Sequence, residues 1–129
     1  MSGLLVDTHA ATWWWKESPR LGRDARAAIA SRTNTVWVSA ISAIELAIKY
    51  RIGKFDEIGD PAVGYPRLMA RSGFVDLPIN HSHALTAGLL PGDHRDPFER
   101  IIAAQALLEG LTAVTCDDAF AAFDCTVLW

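Results

Sequence analysis

The chain has 129 residues, half of them hydrophobic, with 21% charged residues and a formal net charge of −3. This length suits a single domain spanning residues 1–129, and the composition is that of a folded protein rather than a disordered one. The apolar runs are shorter than a membrane span and the N-terminus lacks a signal-peptide pattern, so we expect a cytoplasmic protein.

Short apolar runs alternate with helical patterns along the chain. The apolar runs predict five β-strands, at 4–6, 36–38, 74–77, 113–115 and 126–128. Between them, apolar residues recur at helical spacing and predict α-helices at about 22–32, 40–52, 61–72, 81–88 and 97–109. This alternation is typical of a three-layer α/β domain, with a central parallel five-stranded sheet flanked by helices. Ligands bind such sheets beyond the carboxyl ends of the strands.

Two aspartates lie where the predicted sheet would bind a ligand. Asp7 directly follows the first strand, and Asp117 comes two residues after the end of the fourth. Because the carboxyl ends of parallel strands meet at one edge of a sheet, we expect the two carboxylates to converge. The structural alternative is that each is an N-cap, since aspartate is preferred where a strand turns into a helix.

A glutamate occupies the apolar face of the predicted helix at 40–52. At about 100° per residue, the face that carries Glu45 also carries four isoleucines, Ile41, Ile44, Ile48 and Ile52. A carboxylate rarely faces a core without a metal or a cationic partner, because desolvation of an unpaired charge is unfavourable. We therefore expect a cation near Glu45, either a bound metal or, as the structural alternative, Lys49 one helical turn later.

A third group of polar residues begins the predicted helix at 97–109, in the segment His94-Arg95-Asp96-Pro97-Phe98-Glu99. Asp96 as N-cap, proline as the first helical residue and Glu99 at the third position form a strong helix start. Between residues 101 and 108 the only polar residue is Gln105, so this helix should be heavily buried and its N-terminus firmly placed. A carboxylate held in this way can also be a metal ligand, and the two roles of Asp96 are compatible.

Four carboxylates gathered in one cleft, those of Asp7, Glu45, Asp96 and Asp117, would repel one another unless a cation neutralised them. Their hard oxygen ligands suit Mg²⁺ or Mn²⁺ better than zinc. A metal held by such ligands can activate a water and stabilise the leaving oxygen of a phosphodiester, without a serine, cysteine or histidine nucleophile. The residues therefore predict a metal-dependent nuclease.

Three consecutive tryptophans, Trp13–Trp15, cannot all face inward on one helix, because neighbouring residues point about 100° apart. We expect at least one to be exposed, where it would serve a dimer or another protein contact, with an indole that lies on a neighbouring helix as the structural alternative. His81 and His83 stand near a predicted helix start and on different sides of that helix, so we expect structural roles for both rather than a shared metal.

Four segments of the chain together resemble the PIN-domain ribonucleases, and especially the VapC toxins of bacterial and archaeal VapBC toxin–antitoxin pairs. Residues 4–10, LLVDTHA, resemble the opening strand of that family, and residues 38–49, VSAISAIELAIK, are similar to its glutamate helix. Residues 94–100, HRDPFER, followed by AAQA at 103–106, resemble the third motif, and residues 115–117, TCD, the fourth. The likeness extends over nearly the whole chain, and the motifs are specific only in combination.

The resemblance implies a parallel sheet flanked by helices, Mg²⁺- or Mn²⁺-dependent endoribonuclease activity, a homodimer, and inhibition by a cognate VapB-type antitoxin. The other protein that an exposed tryptophan contacts would then be the antitoxin. Asp7, Glu45 and Asp96 match the strongest acidic positions of the family, and Asp117 matches a fourth position that varies more among its members. Cys116 stands where the fourth motif is expected to have alanine. The neighbouring Asp118 leaves open which of two adjacent carboxylates points inward.

Other polar residues are predicted to assist these acids. Three hydroxyl side chains at the same strand edge are candidates for hydrogen bonds to the metal ligands, although polar residues are also ordinary in turns: Thr8, Ser39 and Thr115. Three basic residues are candidates for binding RNA phosphates, which would offset the negative net charge: Lys49, Arg95 and Arg100.

Two other functions stay open on the sequence. One is a receiver-like signalling domain, which also binds Mg²⁺ at the carboxyl edge of a small α/β sheet. Such a domain has paired acids after its first strand, whereas Asp7 stands alone. The other is a PIN-like module that binds without cutting, and the four intact acids argue against it.

Overall fold

A computed structural model describes residues 3–129, which form five strands and seven helices. The strands are β1 (Gly3–Val6), β2 (Thr35–Ser39), β3 (Val75–Leu77), β4 (Thr112–Val114) and β5 (Val127–Leu128). The helices are α1 (Thr8–Trp15), α2 (Arg23–Ala30), α3 (Ala40–Arg51), α4 (Pro61–Ser72), α5 (His81–Leu89), α6 (Pro97–Glu109) and α7 (Asp118–Ala122). Within residues 3–129, no helix is both long and apolar enough to cross a membrane.

The predicted α/β architecture is confirmed, with all five predicted strands and all five predicted helices close to their predicted positions. Helices α1 and α7 are missing from the prediction. Each begins directly after an aspartate that caps it, Asp7 or Asp117. Helix α7 has five residues, too few for a helical period to be recognised. Helix α1 is as long as the predicted α2, but its sequence, THAATWWW, has no charged residue that would mark a polar face.

The order of the strands excludes one of the alternative functions. All strands are parallel, and the sheet has the order β3-β2-β1-β4-β5. A receiver-like domain has the order 2-1-3-4-5, so the receiver-like interpretation is wrong. Because the chain extends outward from β1 on one side and then crosses to the other, a crevice opens between the carboxyl ends of β1 and β4.

Side chains alternate between the two faces of the sheet and form two hydrophobic cores. Leu4 and Val6 of β1 belong to the core built with α1, α2, α3 and α4. Leu5 belongs to the opposite core, with Ile102 of α6 and Phe120 of α7. The central strand is therefore held from both sides, and the position of its carboxyl end is fixed by both cores.

Only part of the isoleucine face of α3 meets a core, since Ile41 packs against the second core but two other isoleucines are exposed, which corrects one premise of the Glu45 prediction. Ile44 and Ile52 are 51% and 50% exposed, whereas Ser42 and Leu46 are buried. A helical period identifies the residues that share a face, but it does not identify what that face packs against. The helix turns its serine and leucine inward and leaves isoleucines at the surface.

The expectation that at least one residue of Trp13–Trp15 is exposed is wrong. All three are partly buried. Each ring packs against at least one other aromatic ring: Trp13 against His9 and Trp129, Trp14 against Phe74, and Trp15 against Tyr65 and Phe74. Rings from other elements cover the three indoles, so their directions around α1 do not force any of them into solvent.

Candidate metal site at the carboxyl edge of the sheet

Asp7 is the central acid of this edge. It directly follows β1 and caps α1, because its Oδ1 accepts a hydrogen bond from the Ala10 amide at 2.8 Å. Its Oδ2 accepts a 2.6 Å hydrogen bond from the Thr115 hydroxyl. Burial raises the pKa of Asp7 above its usual value, and the two hydrogen bonds only partly oppose this rise. Asp7 forms no salt bridge within residues 3–129, so its charge is held at the crevice without a cation.

Asp117 lies on the β4 side of the same crevice. Its Oδ1 accepts from the Ala119 amide at 2.9 Å and caps α7. Thr115 joins the two aspartates, since its hydroxyl donates to Asp7 and accepts from the Asp117 amide at 3.0 Å. The charge of Asp117 also contributes to the raised pKa of Asp7. Asp118 is exposed in the first turn of α7, so Asp117 is the carboxylate at the crevice.

Glu99 is an acid of this site that the sequence analysis missed. It lies in the first turn of α6, where its carboxyl shares a hydrogen bond with that of Asp117 and contacts the His94 imidazole. Burial and the bond with Asp117 raise the pKa of Glu99 to about 7, and the same bond lowers the pKa of Asp117. Within residues 3–129 no cationic side chain separates the two neighbouring carboxyls, which favours the protonated form of Glu99. In the sequence, Glu99 has the spacing of a capping-box residue, which accounts for a glutamate at that position, and no other sequence signal indicates that it belongs to the site.

Glu45 lies on the α3 side of the site. Its side chain is 15% exposed and forms a salt bridge with Lys49, whose Nζ lies 2.9 Å from the Glu45 carboxylate. The cation next to Glu45 in this structure is therefore Lys49, as in the structural alternative to a metal. Ser42, one turn before Glu45, shares a 2.8 Å hydrogen bond with Thr8, the residue after Asp7. Because residues one turn apart share a helix face, Glu45 lies on the face of α3 that adjoins the start of α1.

Asp96 and two of the predicted hydroxyl residues mainly stabilise helix ends. Asp96 caps α6 by accepting a backbone hydrogen bond at 2.9 Å, and its charge contributes to the raised pKa of Glu99. Ser39 caps α3 in the same way at 3.2 Å, and the Thr8 hydroxyl is bonded to α3. Of the three predicted hydroxyls, the one bonded to a predicted metal ligand within residues 3–129 is that of Thr115.

The three basic residues predicted to bind RNA have different surroundings. The Arg100 guanidinium donates to four backbone carbonyls of the segment before α6, those of Ala87, Gly88, Leu90 and His94. These bonds give Arg100 a structural role, in place of the predicted contact with phosphate, because its donors are used within the protein. Lys49 is paired with Glu45, and Arg95 is exposed.

The donor set at this edge suits a hard divalent cation. Five carboxylates lie at or next to it: Asp7, Glu45, Asp96, Glu99 and Asp117. Mg²⁺ and Mn²⁺ prefer such ligands, and a cation relieves both a buried carboxylate and a pair of neighbouring carboxyls. Among residues 3–129, no three side chains already surround a metal position. Metal binding would therefore require Glu45 and Glu99 to turn away from Lys49 and His94.

The fold and these acids define an α/β domain with an oxygen-rich crevice at the centre of a parallel sheet, and comparison with known proteins specifies the family. The family model of the PIN domain matches residues 4–124. Ribonuclease VapC22 from Mycobacterium tuberculosis is 33% identical over 118 residues, which cover 91% of this chain and 88% of that protein. The chain belongs to the PIN-domain family.

Further relatives agree with this assignment. Ribonuclease VapC16 from Mycobacterium tuberculosis is 40% identical over 70 residues, 50% of this chain and 49% of that protein. Among solved structures, VapBC2 from Rickettsia felis, bound to a DNA fragment from its promoter, matches with a TM-score of 0.72 at 16% identity, over 98% of this chain and 97% of that one. DNA-bound VapBC from Salmonella typhimurium gives 0.69 at 18% identity, over 99% and 98% of the two chains. These two structures support the fold alone.

Proposed function

We propose that this protein is a Mg²⁺- or Mn²⁺-dependent endoribonuclease that hydrolyses RNA phosphodiester bonds. The observation that carries the proposal is the group of acids at the crevice, where Asp7 is buried without a salt bridge and the neighbouring Asp117 helps to raise the pKa of Glu99. Acids held in this way destabilise a fold and are typical of ligand-binding or catalytic sites. The relatives named Ribonuclease VapC22 and Ribonuclease VapC16 support RNA as the substrate.

The residues of the crevice have separate roles in this proposal. Asp7, Glu45, Asp117 and the acids at the start of α6, Glu99 and Asp96, hold the metal. Bound Mg²⁺ or Mn²⁺ supplies activation of the attacking water and neutralisation of the charge that develops on the phosphodiester. Thr115 positions Asp7 through its 2.6 Å hydrogen bond and keeps it at a fixed spacing from the Asp117 backbone.

Lys49 has two successive roles in this proposal. In the metal-free protein it neutralises the Glu45 carboxylate at 2.9 Å. When that carboxylate turns toward the metal, the ammonium group is released at the edge of the site, where it can bind a phosphate of the substrate. Such an exchange would bring Lys49 into the predicted contact with RNA.

The biological setting that we propose is a type II toxin–antitoxin pair, in which this chain is the cytoplasmic toxin, forms a homodimer and is inhibited by a VapB-type antitoxin. The similar folds found in VapBC and FitAB complexes support such a partner. Large apolar side chains at the surface of α3 and just after it provide area for protein contacts: Ile44, Tyr50 and Ile52, which are 51%, 41% and 50% exposed.

A PIN domain that binds without cutting is the second candidate function. The salt bridge between Glu45 and Lys49 favours it, because a lysine can neutralise an acid that would otherwise require a metal. The two candidates differ in a single property, which is metal-dependent cleavage.

The deciding experiment incubates purified protein with a mixed RNA pool in Mg²⁺, Mn²⁺ or EDTA, and compares the wild type with Asp7→Asn. Asparagine retains the N-cap of α1 but removes the charge, so cleavage should fall by about 10³-fold. Asp60→Asn is the matched control, because Asp60 caps α4 in the same way, through a 3.0 Å bond from the Ala62 amide. Cutting that persists in EDTA or in Asp7→Asn would contradict the proposal, and a folded wild type that cuts with neither metal would establish the binding module.

A further inference from the structure

A cleft of about 220 Å³ opens between α1, α3 and the segment that follows α3. Its lining carries four basic side chains, those of Lys16, Arg20, Lys49 and Lys54, and three aromatic rings, those of His9, Trp13 and Phe55. One carboxylate, that of Glu57, belongs to the same lining. We call this feature the basic cleft.

The basic cleft begins beside the candidate metal site. Thr8 and Leu46 line it, and each directly follows a predicted metal ligand, Asp7 or Glu45. Lys49 belongs to both regions, because it lines the cleft and also bonds Glu45 at 2.9 Å. A molecule bound in the basic cleft therefore continues directly into the crevice that contains the acids.

The fold neutralises the cations of the basic cleft only in part. Lys16 pairs with Glu57 at 2.9 Å, but the two side chains are 39% and 42% exposed, and such pairs contribute little to stability. Arg20 and Lys54 are exposed and form no salt bridge within residues 3–129. The net charge of the whole chain is −3, so this concentration of positive charge is local and attracts anions to one place.

One wall of the basic cleft is aromatic. The rings of His9 and Trp13 stack with their centroids 5.4 Å apart and their planes 12° apart, since the two residues lie one turn apart on α1. The Arg20 guanidinium lies 5.9 Å from the centre of the Trp13 ring, and His9 is exposed at the end nearer the acids. Proteins bind single-stranded nucleic acids with this combination, in which basic groups follow the phosphates and aromatic rings stack on the bases.

We propose that the basic cleft binds the stretch of single-stranded RNA next to the scissile phosphate. Arg20, Lys49 and Lys54 contact its phosphates, and a base stacks on the exposed His9 ring that Trp13 supports. An acidic peptide would use the cations but not the stacked planar rings, which favours RNA over a protein partner. The inference rests on the proposed function and adds to it the path of the substrate strand.

The test measures binding of a short fluorescent single-stranded RNA in EDTA over a series of salt concentrations, so that no cutting is required. In the double variant Arg20→Gln/Lys54→Gln, Kd should rise, and the slope of log Kd against log salt should fall by about 0.7 for each phosphate that the protein no longer neutralises. In His9→Ala, Kd should rise by about 5- to 100-fold, the effect of removing one stacked base, with the slope unchanged. Arg23→Gln/Arg67→Gln is the matched control, because it removes two exposed cations of α2 and α4.

The outcomes separate this inference from the proposed function. A double variant whose Kd and salt slope equal those of the wild type would overturn the inference, whether or not the protein cuts RNA. If the slope falls as expected but the wild type cuts RNA with neither metal, the basic cleft is an RNA site and the nuclease proposal is wrong. In a protein that does cut, the double variant should raise KM and leave kcat within about twofold, because Arg20 and Lys54 lie outside the acid crevice.

Discussion

Two regions of the molecule bury polar side chains, and the fold treats them differently. Between α5 and α6, His83 is 2% exposed and both of its ring nitrogens are bonded. Its Nδ1 accepts from a backbone amide at 3.2 Å, and its Nε2 donates to the Glu109 carboxylate at 2.9 Å. At the carboxyl edge of the sheet, Asp7 is buried without a salt bridge, and burial together with the neighbouring Asp117 raises the pKa of Glu99.

The difference distinguishes a structural network from a binding site. A buried polar group that has its partners stabilises the fold and makes the packing specific. The network is not complete, since the neighbouring Gln105 donates to the Pro78 carbonyl at 3.1 Å while its Oε1 has no partner within residues 3–129. At the acid edge, the fold moves the pKa of Asp7 and Glu99 upward, which is expected where a cation binds. Changes in the first region should therefore reduce stability, and changes in the second should reduce activity.

The largest expected effect on stability is that of His83→Ala. The variant loses the packing of a buried ring and leaves the Asn80 amide without its partner, so the free energy of unfolding should fall by about 2–4 kcal/mol, measured by urea denaturation. RNA cleavage per folded molecule should be unchanged, because Glu109 lies about 15 Å along α6 from Glu99. His81→Ala is the control, since His81 is exposed two residues earlier. Loss of cleavage in a folded His83→Ala protein would remove the distinction between the two regions.

Thr115→Val should have a smaller effect, mainly on metal binding, with a small loss of stability because the Asp117 amide also loses its acceptor. Valine keeps the shape of the side chain but removes the hydroxyl that donates to Asp7 Oδ2 at 2.6 Å. The Mg²⁺ concentration for half-maximal cleavage should rise by about 10- to 100-fold, the usual effect of losing a partner that orients a metal ligand. Thr115→Ser should restore most of the affinity, and Thr112→Val, at the other end of β4, should leave it unchanged. If Thr115→Val is less stable but needs no more Mg²⁺ for cleavage, Thr115 stabilises the fold and does not position the metal ligand.

Helices and strands were predictable where a few consecutive residues determine them. The apolar run before Asp7 predicts β1, and the Asp-Pro start at 96–97 predicts the beginning of α6, because both signals lie in a few consecutive residues. The buried face of α3 was not predictable in this way. Its isoleucine period is real, but the elements that pack against α3 bury Ser42 and leave Ile44 exposed, and their positions are tertiary information.

The same limit applies to the site. Asp7 and Asp117 could be placed together from the sequence, because the ends of parallel strands meet at one edge. Glu99 could not, since it joins the site only where the first turn of α6 meets the residues after β4, and its capping role already explained it locally. The prediction for Arg100 was wrong for the opposite reason. Its place in the sequence near Asp96 suggests a phosphate contact, but in the folded chain its guanidinium donates to backbone carbonyls.

The smallest expected effect is a pH dependence of stability that arises from the raised pKa of Glu99. Its pKa is raised from 4.5 to about 7, so between these values the folded protein retains a proton that the unfolded chain has released. The stability of the metal-free protein should therefore be highest at the acidic end of this range and decrease as the pH rises to about 7.

Urea denaturation in EDTA at several pH values, for the wild type and for Glu99→Gln, measures this dependence. The difference in the free energy of unfolding, wild type minus variant, should decrease with rising pH, since glutamine does not titrate and Asp7 is common to both proteins. Glu17→Gln, which removes an exposed carboxylate elsewhere, should follow the wild type. Added Mg²⁺ should oppose the decrease, because the ionised carboxylate is the form that binds metal. A difference that is flat with pH would show that Glu99 is ionised throughout, and the acid edge would then resemble the hydrogen-bonded surroundings of His83 more than a site prepared for a cation.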